Sequence, residues 1–413
     1  MKTAASADTA SDPRLITRER GVRGYFRELG GRARDGDLSS APVVAGLAAL
    51  WITFQALDTA FLSPRNLSNL SVDIAGMGLI AVGIVFVLLV GDIDLSVGAV
   101  SGLCGAVFAV LNVNNGMAEW LAAVLAVLFG AAVGAVHGFF VARVGVPAFV
   151  VTLAGLLAWN GLMLQILGPS GTINIDDEGL VAMLTNHYFG GAAPAFGVAA
   201  VAVAGYFLVS WRQARRGASA GLPNRPFGEI VARTGVLAVL VCAAAWVLTA
   251  FQGLPLALMI FLAVVVGLDF VLRRTSYGRA ILALGGGMEA ARRAGLNVPG
   301  VRLSVFMIAG VMAAIGGLFL ASRIASVSQT SGSGSLLINV IAAAVIGGTS
   351  LFGGRGSTWS ALLGVLVIQS IASGMALLGI QVAVQFMITG GVLLAAVVVD
   401  SLSRHLRKAR GRA

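Results

Sequence analysis

Apolar residues in this chain come in long blocks separated by short polar joints. The blocks run for roughly 17–25 residues, the length that carries a helix across a bilayer. Twelve spans are predicted, at roughly 42–61, 67–90, 95–113, 120–142, 146–167, 193–211, 234–251, 255–272, 303–321, 336–350, 357–375 and 380–400. The sixth and seventh are compositionally plain, rich in Ala and Val, and the tenth is short enough for a re-entrant segment. The expected fold class is all-α, a polytopic integral membrane protein with about 12 transmembrane helices.

Composition agrees with that pattern. Of 413 residues, 58% are hydrophobic and only 11% charged, against about 45–50% and about 25% in soluble domains. The 55 glycines suit close helix packing in lipid. Gly130, Gly134 and Gly138 share one helix face at four-residue spacing, as do Gly98 and Gly102, and helix packing is the expected use of both sets. Cys104 and Cys242 lie inside apolar blocks and read as small buried hydrophobes.

The net charge of +10 raises nucleic acid as a partner, but its distribution argues against one. The basic residues sit in loops and tails beside the spans, as positive-inside topology requires. With the N-terminus inside, all of the 28 Lys and Arg residues except Arg65 and Arg323 fall on the cytoplasmic side. The loop at 168–192 then faces out with Asp176, Asp177 and Glu178 and no basic residue. The loops at 212–233 and 273–302 then face in, carrying Arg212, Arg215, Arg216, Arg225 and Arg233, and Arg273, Arg274, Arg279, Arg292, Arg293 and Arg302. The expected organisation is a disordered cytoplasmic tail at 1–40, a transmembrane domain at 41–402 and a basic cytoplasmic tail at 403–413. The first span reads as an uncleaved helix, because the polar stretch before it is too long for a signal peptide.

Three stretches carry candidate chemistry. Gly91-Asp92-Ile93-Asp94-Leu95-Ser96-Val97-Gly98 joins two spans. A carboxylate at the bilayer centre costs roughly 2.5–3.5 kcal/mol, so such groups sit at an interface, pair, or face a wet cavity. Asp92, Asp94 and Ser96 are therefore either topology and capping groups before the third span or part of the translocation path or its gate. In the loop at 273–302, Met288 to Ala294 are good helix formers, Gly295 is a stop and Pro299 blocks continuation. A helix this short needs a docking partner to persist, and otherwise the loop is merely solvated. The third stretch, Gly347 to Ser357, has paired glycines that make a tight non-helical turn at a membrane boundary. It is a poor nucleotide loop, which needs Lys after its glycines, because the chain's only lysines are Lys2 and Lys408. His137, His187 and His405 are scattered without metal-ligand spacing, so no metal site and no catalytic residue is expected.

Taken in order, these stretches resemble the permease subunits of ABC-type monosaccharide importers, the ribose and xylose transporter class. The resemblance spans about Asn66 to Asp400. Gly91 to Gly98 resembles that family's acidic turn, and Ala283-Leu-Gly-Gly through Glu289-Ala-Ala to Gly295 resembles its coupling loop. One departure is Gly287, where the family often has Asn.

The resemblance implies two inverted five-helix halves with a two-helix insertion at about 193–251, closest to the xylose-type branch. It implies a homodimer, two cytoplasmic ATPase subunits and an extracytoplasmic sugar-binding protein. ATP is then used by the partner subunits, and this chain binds no cofactor of its own. Coupling to the ATPase would fall to Glu289, Ala290, Ala291, Arg292, Arg293 and Gly295. Thr152, Asn160, Asn339 and Gln369 join Asp92, Asp94 and Ser96 as candidate path residues. The implied location is the plasma (inner) membrane of a bacterium, with both termini cytoplasmic. A twelve-span secondary transporter also fits the span count, but the acidic Gly91–Ser96 turn stands where that group usually has a basic loop. A membrane-embedded enzyme would need buried His/Asp clusters, which the sequence lacks.

The topology is testable by single-cysteine labelling with a membrane-impermeant reagent on intact cells. A cysteine at position 177 is expected to label and one at position 292 to stay protected. The opposite result would overturn the map.

Overall fold

A computed structural model describes residues 41–219 and 227–392, together with residues 394 and 398. The tails expected at 1–40 and 403–413, and Arg225, lie outside the described residues. The chain is all-α and polytopic. Nine helices among the described residues are long and apolar enough to cross a membrane, and three shorter apolar helices accompany them.

The first helices are α1 (Ala41–Leu57), α2 (Pro64–Leu89), α3 (Val97–Ala109), α4 (Glu119–Phe139) and α5 (Ala148–Leu167). Both α3 and α4 run on into one π-helical turn, at Val110–Asn114 and Phe140–Val144. A folded connection follows, made of β1 (Thr172–Asn174), α6 (Leu180–Asn186) and β2 (Tyr188–Phe189). Next come α7 (Ala192–Ser219), α8 (Phe227–Thr249), β3 (Leu254–Pro255) and α9 (Leu256–Arg274). Two short helices, α10 (Ser276–Gly286) and α11 (Met288–Arg293), lead into α12 (Val298–Ile324). β4 (Ser326–Ser328), α13 (Leu336–Ile346), α14 (Thr358–Leu377) and the apolar helix α15 (Val382–Val392) follow.

The helix starts follow from local chemistry. Ser63 accepts a hydrogen bond from the Asn66 N–H at 3.3 Å, with Pro64 just inside α2. Asn297 does the same for the Gly300 N–H at 3.1 Å, with Pro299 just inside α12. α2 is almost wholly buried and packs against α12, α14, α9 and α13, so it forms the centre of the bundle. α12 packs on α2, α3 and α4. α7 and α8 lie chiefly against each other, and their outer faces, with Val201, Val239 and Trp246, are exposed apolar surface suited to lipid.

The glycine ridge on α4 is where α12 comes closest. A Cβ at Gly134 would overlap the Phe306 carbonyl, and one at Gly138 would lie 2.8 Å from Leu303 Cα. Gly98 and Gly102 on α3 serve a different neighbour. They receive the non-helical backbone of Ser331 and Gly332, which dips toward the bundle ahead of α13. That helix has 11 residues, about 16 Å of rise, or roughly half of a hydrocarbon core about 30 Å thick.

Two features depart from expectation. Two small antiparallel ladders order the connections beyond the helices, with Ile173 opposite Val327 and Phe189 opposite Leu254. Cys104 is buried, but Cys242 is exposed on α8, because that helix packs against little besides α7.

The α4–α12 approach predicts the outcome of a paired substitution. Gly134→Leu should lower the melting temperature of the detergent-purified protein, in line with overpacking costs of about 1–3 kcal/mol. Gly161→Leu, where a Cβ meets open space, should stay within about 0.5 kcal/mol of wild type. Equal melting of the two variants would contradict the packing.

Candidate functional site

α2 ends at Leu89, and the chain turns inside the bundle before α3 begins at Val97. Gly91 makes the turn, with φ of +85°, a conformation that favours glycine. The N–H groups of Gly91 and Asp92 bond back to the Leu88 and Val87 carbonyls. The Leu89 carbonyl accepts from the Gly354 N–H at 2.9 Å, which brings the glycine-rich 347–357 connection onto the same spot.

Both carboxylates of the turn are buried and engaged. Asp92 accepts two hydrogen bonds from Arg302, at 2.9 Å from Nε and 2.6 Å from the second guanidinium nitrogen. The third nitrogen of that fork donates to the Val141 carbonyl at 3.3 Å. The pair therefore joins the end of α2 to the start of α12 and the last turn after α4. Only 9% of the Asp92 side chain and 14% of the Arg302 side chain are exposed. Removing one partner of such a pair typically costs 3–5 kcal/mol, because the other charge is left buried.

Asp94 faces the other way. Its Oδ1 accepts from the Ser96 N–H at 2.7 Å and the Ser96 hydroxyl at 2.6 Å. Ser96 occupies the N-cap position of α3 without capping it through its side chain. Its hydroxyl also lies 3.4 Å from His137 Nδ1 on α4, and His137 Nε2 accepts from the Trp159 indole N–H of α5 at 2.8 Å. An indole nitrogen can only donate, so His137 is the neutral tautomer with its proton on Nδ1. Gly155 leaves room for the ring, since a Cβ there would lie 2.5 Å from Nε2. Thr152 is buried beside the turn and donates mainly to the Ala148 carbonyl at 2.9 Å, with the Ile93 carbonyl at 3.4 Å.

The turn thus gathers Asp92, Asp94, Ser96 and Thr152, and it adds Arg302, His137 and Trp159. Sequence reasoning missed these three. The available signal was a histidine and an arginine within reach of spans that must also satisfy two buried acids.

The other path candidates lie apart from the turn. Asn160 and Asn339 each carry a buried side-chain oxygen with no hydrogen-bond partner among the described residues. Gln369 reaches the Asp73 carbonyl at 3.5 Å, toward the opposite end of α2. There Asp73 pairs with Arg323 at 2.8 Å. Near that end a cavity of about 250 Å³ opens between α3, α12 and the 331–336 segment, lined by Ser101, Gly102, Gly317, Arg323, Ser331 and Gly332 among others.

In the 273–302 segment, α10 precedes the short helix expected at 288–295, so two helices occupy this stretch. The helical turns of α11 end at Arg293, and Gly295 takes φ of +80° as the left-handed stop. Glu289, Ala290, Arg292 and Arg293 are exposed. Ala291 is turned inward, with 4% of its surface exposed, so of the two alanines only Ala290 faces outward. Tyr277 on α10 bonds the Ser304 hydroxyl at 2.7 Å. Burial pushes its phenol above the ordinary pKa, and the Ser304 bond partly offsets that rise.

Residues 66–397 match the family described as the permease component of branched-chain amino acid transport systems. The chain is 36% identical over 364 residues to the xylose transport system permease protein of Escherichia coli strain K12, covering 88% of this chain and 92% of that protein. Identity to the ribose import permease protein of Bacillus subtilis is 33% over 366 residues, covering 89% and 94%. Identity to the L-arabinose ABC transporter permease protein of Azospirillum brasilense is 30% over 385 residues, covering 92% and 93%. No solved structure matches the chain significantly. With a family match across most of its length and membrane-length helices beneath that match, the chain belongs to this permease family and is a multi-pass membrane transport subunit.

Proposed function

We propose that this chain is the permease subunit of an ATP-driven importer that moves a monosaccharide, xylose or a similar sugar, into the cytoplasm. The observation that carries this is the near full-length identity to a xylose permease, with ribose and arabinose permeases further away. ATP is hydrolysed by two separate cytoplasmic subunits, and an extracytoplasmic sugar-binding protein delivers the substrate to a homodimer of this chain. Support for an outside energy source is the lack of a usable phosphate-loop lysine, since only Lys2 and Lys408 are present.

Twelve spans are supported by nine long apolar helices together with α1, α13 and α15. Two inverted halves are supported by a crosswise pattern. The second span of each half, α2 or α12, packs on the fourth span of the other half, α14 or α4, and each begins with a polar cap and a proline. An insertion at about 193–251 is supported by α7 and α8 packing chiefly on each other. The Asp92 end of the bundle is assigned to the cytoplasm with both termini, on the charge distribution of the loops.

The outward-facing side chains of α11 are then the docking surface for the ATPase. Glu289, Arg292 and Arg293 can make charge-assisted bonds at its rim, and Ala290 permits close approach. Asn160, Asn339 and Gln369, with the cavity near Arg323, are candidates for the sugar's path. Asp92 and Asp94 hold the turn at the other end of the bundle.

Uptake by cells should collapse on ATP depletion and survive an uncoupler. The reverse sensitivity would place the chain among ion-coupled transporters. Gly295→Asp forces a side chain into a left-handed stop, a strain of roughly 1–2 kcal/mol, and adds charge beside α11. It should leave membrane insertion intact, weaken recovery of the ATPase on pull-down and abolish uptake. Normal co-purification with normal sugar-stimulated hydrolysis would remove α11 from the coupling role.

A further inference from the structure

The segment that carries α11 is tied to the bundle on both sides, and both ties land on one turn. Ahead of α11, Gly285 lies so close to the Leu89 carbonyl and the Gly354 nitrogen that a Cβ has no room. Gly354 in turn donates to that same Leu89 carbonyl. Behind α11, Arg302 grips Asp92 through two hydrogen bonds. Between these ties, Ala291 and Val298 are buried against the bundle. α11 is therefore held to that turn on both sides, through Gly285 ahead of it and Arg302 behind it.

Among the described residues, two ion pairs join different helices or turns, Asp92–Arg302 and Asp73–Arg323. The other two are four residues apart on one helix. Asp92–Arg302 is the more buried of the two cross-links, and it stands at the α11 end. From the turn, the bonds continue outward. Asp94 holds Ser96 at the start of α3, Ser96 adjoins His137 on α4, and His137 accepts from Trp159 on α5.

We infer that the turn at 89–92 receives the movement of α11, and that Arg302 is a positioning residue that sets how tightly ATP hydrolysis is coupled to sugar movement. The inference rests on the docking role proposed for α11. It gives Asp92 and Arg302 a mechanical function that neither path lining nor topology requires. The guanidinium fork suits this task because it fixes direction as well as distance, which the point charge of lysine does not.

The test uses the whole transporter in proteoliposomes: this chain, the ATPase subunit that co-purifies with it, and its sugar-binding protein. The probe is radiolabelled D-xylose, D-ribose or L-arabinose, whichever the wild type takes up. Sugar moved per ATP hydrolysed is measured beside membrane abundance and ATPase recovery. The double variant Asp92→Asn with Arg302→Gln removes both charges and keeps hydrogen-bonding groups, so it avoids the stranded charge that either single variant leaves.

Abundance and ATPase recovery should stay near wild type while hydrolysis continues. Sugar moved per ATP should fall by roughly 5- to 150-fold, the usual span of a coupling between two sites. Arg302→Lys, which keeps the charge and loses the fork, should fall between the two. Wild-type sugar per ATP in the double variant would overturn the inference. Failure of both variants to assemble would also overturn it, by assigning the pair to folding alone. A wild-type chain that recovers no ATPase would instead overturn the docking role of α11, and this inference with it.

Discussion

Backbone that leaves the helix inside a membrane bundle has no water to bond, so it must find its partners in protein. The turn at 90–96 meets that constraint. Its N–H groups at Gly91 and Asp92 return to α2, that at Ser96 bonds the Asp94 carboxylate, and the Leu89 carbonyl is closed by Gly354. Its charge is balanced by Arg302. Because those partners come from the start of α12 and the 347–357 connection, both halves of the chain contribute to the bonding of the turn. The close approach of α4 to α12, through a ridge of glycines, sets the distance at which Arg302 and the Val141 carbonyl meet.

The central pair of helices shows the same economy at both ends. α2 and α12 lie antiparallel, with Asp92–Arg302 at one end and Asp73–Arg323 at the other. In each pair the acid comes from the α2 side and the arginine from the α12 side. Two helices held this way are suited to move as one body, so relative motion is expected across other seams. The thinly packed α7–α8 pair, and the non-helical 331–332 backbone ahead of α13, which meets the glycines of α3, offer such seams. Bonded networks of this kind resist gradual deformation and favour discrete arrangements.

The sequence alone carried the membrane reading, because hydropathy is summed over some twenty residues and survives any error in a single one. It carried the short helix before Gly295, because helix formers followed by a glycine and a proline are local signals. It also placed Gly130, Gly134 and Gly138 on one packing face, since helical spacing alone decides which residues share a side. The partner of that face, α12, lies more than 150 residues away, and no local pattern names it.

Pairing was decided by the tertiary structure, for the same physical reason. Asp92 read as a topology signal or a part of the path, and its partner, Arg302, lies 210 residues further on. His137 looked like an isolated histidine, and only the meeting of α3, α4 and α5 set it between Ser96 and Trp159. Ala291 looked like its neighbour Ala290, yet one faces the bundle and the other faces away, because the α11 helix has a buried side. A chain's composition and periodicity fix which segments must be helices in lipid. Which polar group neutralises which depends on contacts between segments distant in sequence, and those exist only once the bundle has closed.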